Sequence, residues 1–178
     1  MSGLITKNRL IGLALAALIA VIDQAVKGYV TGPLGIKRLG DRMEIVSFFD
    51  LAYVENRGIS LGMLEASTME MRWLLVLLTA AIALVVFVWI MRERLLGDIV
   101  GLGMILGGAI GNIQDRMTYG YVIDYADLHF GEFRPFLVFN IADAAITLGV
   151  VLILARALFL SEKGSDDTQD AAEAIAEK

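Results

Sequence analysis

The stretch WLLVLLTAAIALVVFVWI, from Trp73 to Ile90, contains 18 residues and no charged side chain. Arg72 precedes it and Arg92 follows it closely. A helix of about 20 apolar residues matches the hydrocarbon thickness of a bilayer. Trp73 and Trp89 lie at its two ends, as aromatic residues at membrane interfaces commonly do. This stretch therefore predicts a transmembrane helix.

Three further apolar stretches share this character, and hydrophobic residues make up 57% of the 178-residue chain. Soluble domains contain about 45–50%. We therefore expect an all-α polytopic membrane protein with four spans, at about residues 10–30, 71–91, 98–117 and 138–158. Residues 1–160 would form a single domain. The acidic segment 161–178 has too few apolar residues to pack, and we expect a disordered tail.

Basic residues predict how the four spans are oriented. An even number of spans places both termini on one side of the membrane. Basic density is highest at the termini and in the short link between spans 2 and 3, at Lys7, Arg9, Arg92, Arg94, Arg156 and Lys163. By the positive-inside rule, both termini and this link are cytoplasmic. The loops 31–70 and 117–138 then face outward.

Both outer loops contain signals for local structure. The segment MEIVSFFDLAYVENRG, residues 43–58, is rich in β-branched and aromatic residues and predicts a small hairpin or curved sheet. The second loop, residues 120–139, is punctuated by Gly120, Gly131 and Pro135. We expect a short surface helix near residues 125–130.

One span carries a stripe of small residues. Gly103, Gly107 and Gly111 recur every four residues in GLGMILGGAIG. Residues four apart lie on the same face of a helix. Small residues on one face let neighbouring membrane helices approach closely. The stripe therefore predicts a tight helix–helix contact.

Polar residues from three of the spans fall at the outer ends. Together with both outer loops these spans supply Asp23, Gln24, Lys27, Asn56, Asn112, Gln114, Asp115, Arg116, Asp124, Asn140 and Asp143. Random placement would divide such residues between the two leaflets. Ionisable residues inside a membrane are costly and generally functional. Their convergence predicts a site near the outer surface.

Several of these residues also have simple structural explanations. Asp23 and Lys27 are four residues apart and can pair on one helix face, which lowers the cost of insertion. Arg116 can extend to the membrane surface, or it can orient nearby carboxylates. Asp115 points away from Asn112 and Arg116 along the helix, and we interpret it as structural.

Asp124 and Asp143 come from different segments but reach the same membrane depth. Alone, each is an ordinary acid in a loop or at a helix N-terminus. Two carboxylates in close proximity do not both ionise readily, so one keeps a proton while the other is anionic. Such a pair can activate water for attack on a peptide carbonyl. We therefore favour an aspartic peptidase.

Two other functions remain open from the residues alone. Clustered carboxylates could bind Mg²⁺ in a membrane phosphotransferase. Asp23, Lys27, Arg116 and Asp143 could also form the relay of a small ion-coupled transporter. The chain contains no cysteine and one histidine, His129, which argues against a thiolate or zinc site. It has no basic run that would indicate nucleic-acid binding.

Five short motifs occur in an order that resembles the signal peptidase II (lipoprotein signal peptidase) family. They are DQAVK (23–27), NRG (56–58), GGAIGNIQDR (107–116), VIDY (122–125) and FNIAD (139–143). Each motif is weak alone, but five in this order on four spans are specific. The resemblance extends over roughly residues 8–160.

The resemblance implies a cofactor-free aspartic endopeptidase of the bacterial inner membrane. It would cut prolipoproteins just before a diacylglyceryl-modified cysteine, among membrane lipids, and would bind globomycin-type inhibitors. Asp124 and Asp143 would be the catalytic pair. The residues expected to bind substrate or support the pair are Asn56, Gly58, Gly108, Asn112, Arg116, Val122, Asn140 and Ala142. Those expected to give structural support are Asp23, Lys27 and Phe139.

Overall fold

The structure, a computed structural model, describes residues 5–58 and 68–176, with side chains up to residue 159. Its elements in chain order are α1 (Lys7–Thr31), β1 (Arg42–Val46), β2 (Phe49–Asn56), α2 (Met69–Arg92), α3 (Leu96–Thr118), β3 (Val122–Leu128) and α4 (Ile141–Ala176). Within these ranges four helices are long and apolar enough to cross a membrane, the fourth over Ile141–Phe159. The predicted fold class is confirmed.

Side-chain caps explain where two of the spans begin. Thr6 accepts a hydrogen bond from the backbone N–H of Arg9 at the start of α1. Thr68 accepts one from Met71 at the start of α2. In each case a hydroxyl satisfies a backbone donor that has no partner within the helix.

Helix α3 lies at the centre and packs against each of the other three helices. A Cβ atom at Gly103 would lie 2.7 Å from the carbonyl oxygen of Gly12 in α1, and one at Gly107 would lie 2.6 Å from that of Ala16. These distances leave no room for a methyl group. The glycine stripe therefore forms the tight helix contact that the sequence predicts.

The three strands form one antiparallel sheet in the order β1-β2-β3. Strands β1 and β2 confirm the hairpin expected within residues 43–58. The remainder of that outer loop, residues 59–67, lies outside the described residues. The sheet lies beside the C-terminal ends of α1 and α3, where Val30 packs in one cluster with Tyr53 of β2 and Ile123 of β3.

The surface helix expected near residues 125–130 is wrong, because Val122–Leu128 forms strand β3. Val54 and Asp124 face each other across the β2–β3 pair. The strand is buried from Val122 to Asp127. Its hydrogen-bonding partner, β2, is about 70 residues away in the chain. Local turn signals do not predict a pairing over that distance.

The backbone of α4 continues as helix to Ala176, where the sequence analysis expects a disordered tail. The segment TQDAAEAIA is rich in alanine and glutamate, which favour helix even without packing. The side chains beyond residue 159 lie outside the described part of the chain. The division into a 1–160 domain and a separate tail stays a prediction.

The contact between α1 and α3 gives a test of packing. Gly107→Ala should lower the free energy of unfolding by about 1–3 kcal/mol, because the new methyl group meets backbone of α1. Gly28→Ala is the matched control, since nothing lies within 4 Å of a Cβ at that position. Thermal melting in detergent compares the two variants. Equal melting temperatures would contradict the close contact.

Candidate active site

The predicted polar residues meet where β3 and the first turn of α4 face the C-terminal end of α3. Asp124 lies on β3, and Asp143 lies in the first turn of α4. Asn140 precedes α4 directly, Asn112 comes from α3, and Asn56 ends β2. Asp124, Asn112 and Asn140 are buried, and Asp143 is partly buried. The two acids of the predicted pair thus share one hydrogen-bonded cluster.

Asn140 connects the two carboxylates. Its Oδ1 accepts a hydrogen bond from the backbone N–H of Asp143 at 2.8 Å, and Asp143 Oδ2 accepts one from the backbone N–H of Asn140 at 3.4 Å. This reciprocal pattern is a capping box, which fixes the start of a helix. Asn140 Nδ2 donates to Asp124 Oδ1 at 2.6 Å. One side chain therefore positions both acids.

Two other asparagines complete the hydrogen bonds of the pair. Asn112 Nδ2 donates to Asp143 Oδ1 at 2.8 Å, and Asn112 Oδ1 accepts from Asn140 Nδ2 at 3.3 Å. Asn56 Nδ2 donates to Asp124 Oδ2 at 3.0 Å. Each of the four carboxyl oxygens therefore accepts a hydrogen bond, which holds both groups in fixed orientations.

The surroundings of Asp124 favour its protonated form. Burial raises the pKa of Asp124, and the charge of nearby Asp143 raises it further, to about 7. Hydrogen bonds from Asn56 and Asn140 act in the opposite direction and are outweighed. Asp124 therefore keeps its proton to a much higher pH than an exposed aspartate does.

A buried ionic cluster lies beside the pair. Lys27 Nζ lies 2.8 Å from Asp23 Oδ2 and 2.7 Å from Asp115 Oδ2, and all three side chains are nearly inaccessible. Asp23 Oδ1 accepts from the backbone N–H of Ala142, and Asp115 Oδ2 accepts from that of Ile123. The cluster therefore connects α1 and α3 to the backbone next to Asp143 and Asp124.

Asp115 and Gln24 belong to the predicted set of converging polar residues, but their hydrogen bonds were not predicted. Gln24 Nε2 donates to Asp115 Oδ1 at 2.8 Å and reinforces the contact between α1 and α3. Asp115 is fully buried and holds β3 as well. The expectation that Asp115 points away from Asn112 is wrong, because Lys27 contacts both side chains. The spacing itself signals this, since residues three apart are neighbours on a helix.

Arg116 contacts the loop that follows β2 and forms no hydrogen bond to either carboxylate in the described structure. Its Nη2 donates to the carbonyl oxygen of Gly58 at 2.9 Å. The N–H of Gly58 donates to Asn56 Oδ1 at 3.1 Å. Arg116 therefore orients Asn56, and through it Asp124. The sequence analysis considered that Arg116 could orient the carboxylates, and the structure shows that it does so through Asn56 and not by a direct hydrogen bond.

The other predicted residues shape the backbone around the pair. A Cβ at Gly108 would collide with the carbonyl oxygen of Ala142, so the glycine lets α3 approach the start of α4. Val122 is buried at the start of β3. Phe139 and Ala126 exchange backbone hydrogen bonds of 2.7 and 3.0 Å. These contacts bring the N-terminus of α4 onto β3.

Comparison with known proteins gives concordant results. A family model described as "Signal peptidase (SPase) II" matches residues 15–159. A lipoprotein signal peptidase of Sphingopyxis alaskensis is 51% identical over 152 residues, which cover 85% of this chain and 87% of the relative. One from Rhizorhabdus wittichii is 50% identical over 155 residues, covering 87% and 90% of the two chains.

Two solved bacterial membrane enzymes, both studied by the in meso method, share the fold. One has a TM-score of 0.74 and 24% identity and covers 86% of this chain and 90% of its own. The other has a TM-score of 0.71 and 25% identity and covers 83% and 92%. Since the family model and the relatives each extend over more than four fifths of the sequence, this chain belongs to the signal peptidase II family.

Proposed function

We propose that this protein is an aspartic endopeptidase that removes the signal peptide of prolipoproteins just before the diacylglyceryl-modified cysteine. Membership of the family supports a membrane protease that acts on prolipoproteins. It disfavours the phosphotransferase and the transporter that the residues alone left open. The observation that carries the aspartic mechanism is the hydrogen-bonded arrangement of Asp124, Asn140 and Asp143.

In this mechanism Asp124 begins protonated and Asp143 begins as a carboxylate. Asp143 takes a proton from a water molecule as the water oxygen attacks the carbonyl carbon that precedes the cysteine. Asp124 donates its proton to the carbonyl oxygen, which gives a tetrahedral diol. The C–N bond then breaks, and the cysteine nitrogen takes a proton from Asp143 and leaves as an amine. The diol hydroxyl returns its proton to Asp124 as the new carboxyl group forms.

The position of the pair suits a lipid-anchored substrate. Each methylene group of an acyl chain contributes about 0.8 kcal/mol to membrane binding, so a diacylglyceryl group does not readily leave the bilayer. The pair lies at the first turn of one membrane-spanning helix and beside the end of another. The bond to be cut therefore has to lie close to the membrane surface, where these acids are.

The loop at Asn56–Gly58 is the proposed substrate contact above the pair. Asn56 donates to Asp124, and Arg116 holds the carbonyl oxygen of Gly58. A substrate backbone bound at Asp124 would lie close to these groups. A cyclic peptide of the globomycin type would occupy the same position.

We propose that the protein lies in the bacterial inner membrane with both termini in the cytoplasm and the acids toward the outer leaflet. The basic residues of the inner link and termini support this orientation. In this orientation the acids would meet a precursor from the outer side of the membrane.

The acid pair is tested by replacement of each member. Asp124→Asn and Asp143→Asn should each reduce cleavage of a diacylglyceryl-modified precursor peptide by about 10²-fold or more, because each removes one half of an acid–base couple. The double variant should be little worse than either single variant, since the two act as a unit. Glu44→Gln, at an exposed position on β1, is the control and should be fully active.

Two outcomes would contradict the mechanism. Substantial activity in a folded single variant, with folding checked by thermal melting, would exclude the acid pair. Loss of wild-type activity in EDTA and its recovery with Mg²⁺ would favour a metal-dependent reaction. We expect the wild type to remain active in excess chelator.

The raised pKa of Asp124 gives a prediction about stability. The folded protein holds this proton up to about pH 7, whereas an unfolded aspartate releases it near 3.8. The contribution of Asp124 to stability therefore falls as the pH rises from about 4 to about 7, because over this range folding must take up a proton that the unfolded chain has released. The melting temperature of Asp124→Asn should rise relative to wild type over this range. A constant difference would contradict the raised pKa.

Cysteine labelling tests the orientation, since the native chain has no cysteine. Leu39 and Leu95 are exposed, at 69% and 57%, on opposite ends of the bundle. Leu39→Cys should react with an impermeant thiol reagent in spheroplasts, and Leu95→Cys should react only after lysis. The reverse pattern would overturn the orientation.

A further inference from the structure

A cleft of about 420 Å³ opens beyond the outer end of α1 and is separate from the acid pair. Residues 34–38 and 41–43 line it, and neither Asp124 nor Asp143 does. Helix α1 ends at Thr31, so the cleft begins a few residues past a membrane span. This position corresponds to the level of the lipid headgroups.

One of the three cations that line the cleft is already neutralised. Arg42 Nη1 lies 2.7 Å from Asp50 Oδ2 and 2.6 Å from Asp127 Oδ2. These bonds join β1 to β2 and β3, and they raise the pKa of Arg42. Arg42 therefore acts mainly within the sheet and contributes little charge to the cleft.

The other two cations leave the cleft with an excess of positive charge. Lys37 and Arg38 are exposed, and no carboxylate of the described residues lies within ion-pair distance of their side chains. Asp41 Oδ2 accepts hydrogen bonds from their backbone N–H groups at 3.0 and 2.8 Å. These bonds lower the pKa of Asp41 and keep it ionised. Two cations and one carboxylate leave a net charge near +1.

The segment that carries these charges is held in place. The N–H of Leu34 donates to the carbonyl oxygen of Tyr29, and that of Ile36 donates to Val30, so the chain folds back on the end of α1. The N–H of Asp41 donates to the carbonyl oxygen of Arg38 and closes a turn. The cleft is therefore formed before any ligand arrives, which lowers the cost of binding.

We propose that this cleft binds the phosphate group of an anionic phospholipid in the leaflet nearest to the acid pair. Lys37 and Arg38 match the single negative charge of a phosphodiester. Leu34, Ile36 and Met43 give the cleft an apolar wall for the glycerol and the first methylenes. A free phosphate would match the charge but not this wall. The diacylglyceryl group of the substrate has no phosphate, so this lipid is distinct from the substrate.

A tryptophan in the cleft can report the lipid that occupies it. Met43→Trp is made in a protein with Trp73→Phe and Trp89→Phe, and the protein is reconstituted in phosphatidylcholine vesicles. Brominated phosphatidylglycerol at 10 mol% should quench this tryptophan more than the same fraction of brominated phosphatidylcholine. The double substitution Lys37→Gln/Arg38→Gln should reduce this preference by at least about fivefold.

Matched controls separate the cleft from general attraction of charge. Arg92→Gln/Arg94→Gln removes the same charge at the other end of the bundle and should leave the preference unchanged. Equal quenching by both lipids, or a preference that survives Lys37→Gln/Arg38→Gln, would overturn the proposal. Loss of the preference in millimolar inorganic phosphate, but not in sodium chloride of equal ionic strength, would indicate a free-anion site and would also overturn it.

Native mass spectrometry gives a second measurement that needs no tryptophan. The protein with its native tryptophans should retain one more phosphatidylglycerol than Lys37→Gln/Arg38→Gln after identical delipidation, with folding of both checked by melting. Equal numbers of bound lipid would contradict the cleft as a lipid site. Neither readout depends on peptidase activity, so the lipid site and the proposed function can fail independently.

Discussion

The amide side chain of Asn140 holds together the parts of the molecule that the proposed chemistry needs. It accepts from the backbone of Asp143, donates to Asp124 and lies within hydrogen-bond distance of Asn112. An amide can do this because it carries a donor and an acceptor on one rigid plane. A carboxylate there would repel both acids, and an apolar residue would leave them unsatisfied. The start of α4, the strand β3 and the helix α3 thus meet at one residue.

The need to give every buried polar group a partner also explains the ionic cluster of Lys27, Asp23 and Asp115. Carboxylates at membrane depth are tolerated only when charge and hydrogen bonds compensate for lost hydration. Lys27 supplies the charge, and the backbone N–H groups of Ala142 and Ile123 supply hydrogen bonds. Removal of one partner leaves a buried charge, which costs several kcal/mol. Helix α1 is therefore connected to the site although it carries neither acid of the pair.

Sequence patterns predict the spans and the convergence of polar residues, because both depend on position along a helix. The helix bounds lie within about three residues of those expected, except that α4 continues as helix to Ala176, because the apolar length that spans a bilayer is read directly from hydropathy. Contacts between segments that are distant in the chain are harder to predict from sequence. The formation of strand β3 depends on its pairing with β2. The hydrogen bond of Arg116 depends on the conformation of the loop at Gly58. The contribution of Asp115 likewise depends on a lysine of another helix.

The central claim is that Asp124 and Asp143 share one proton near neutral pH. Infrared difference spectroscopy measures this directly, because a protonated carboxyl group absorbs apart from a carboxylate. Wild-type protein at pH 6 should show one buried protonated carboxyl whose band is absent from Asp124→Asn and decreases as the pH rises through about 7. A spectrum with no such band, or a band that persists in Asp124→Asn, would contradict the shared proton.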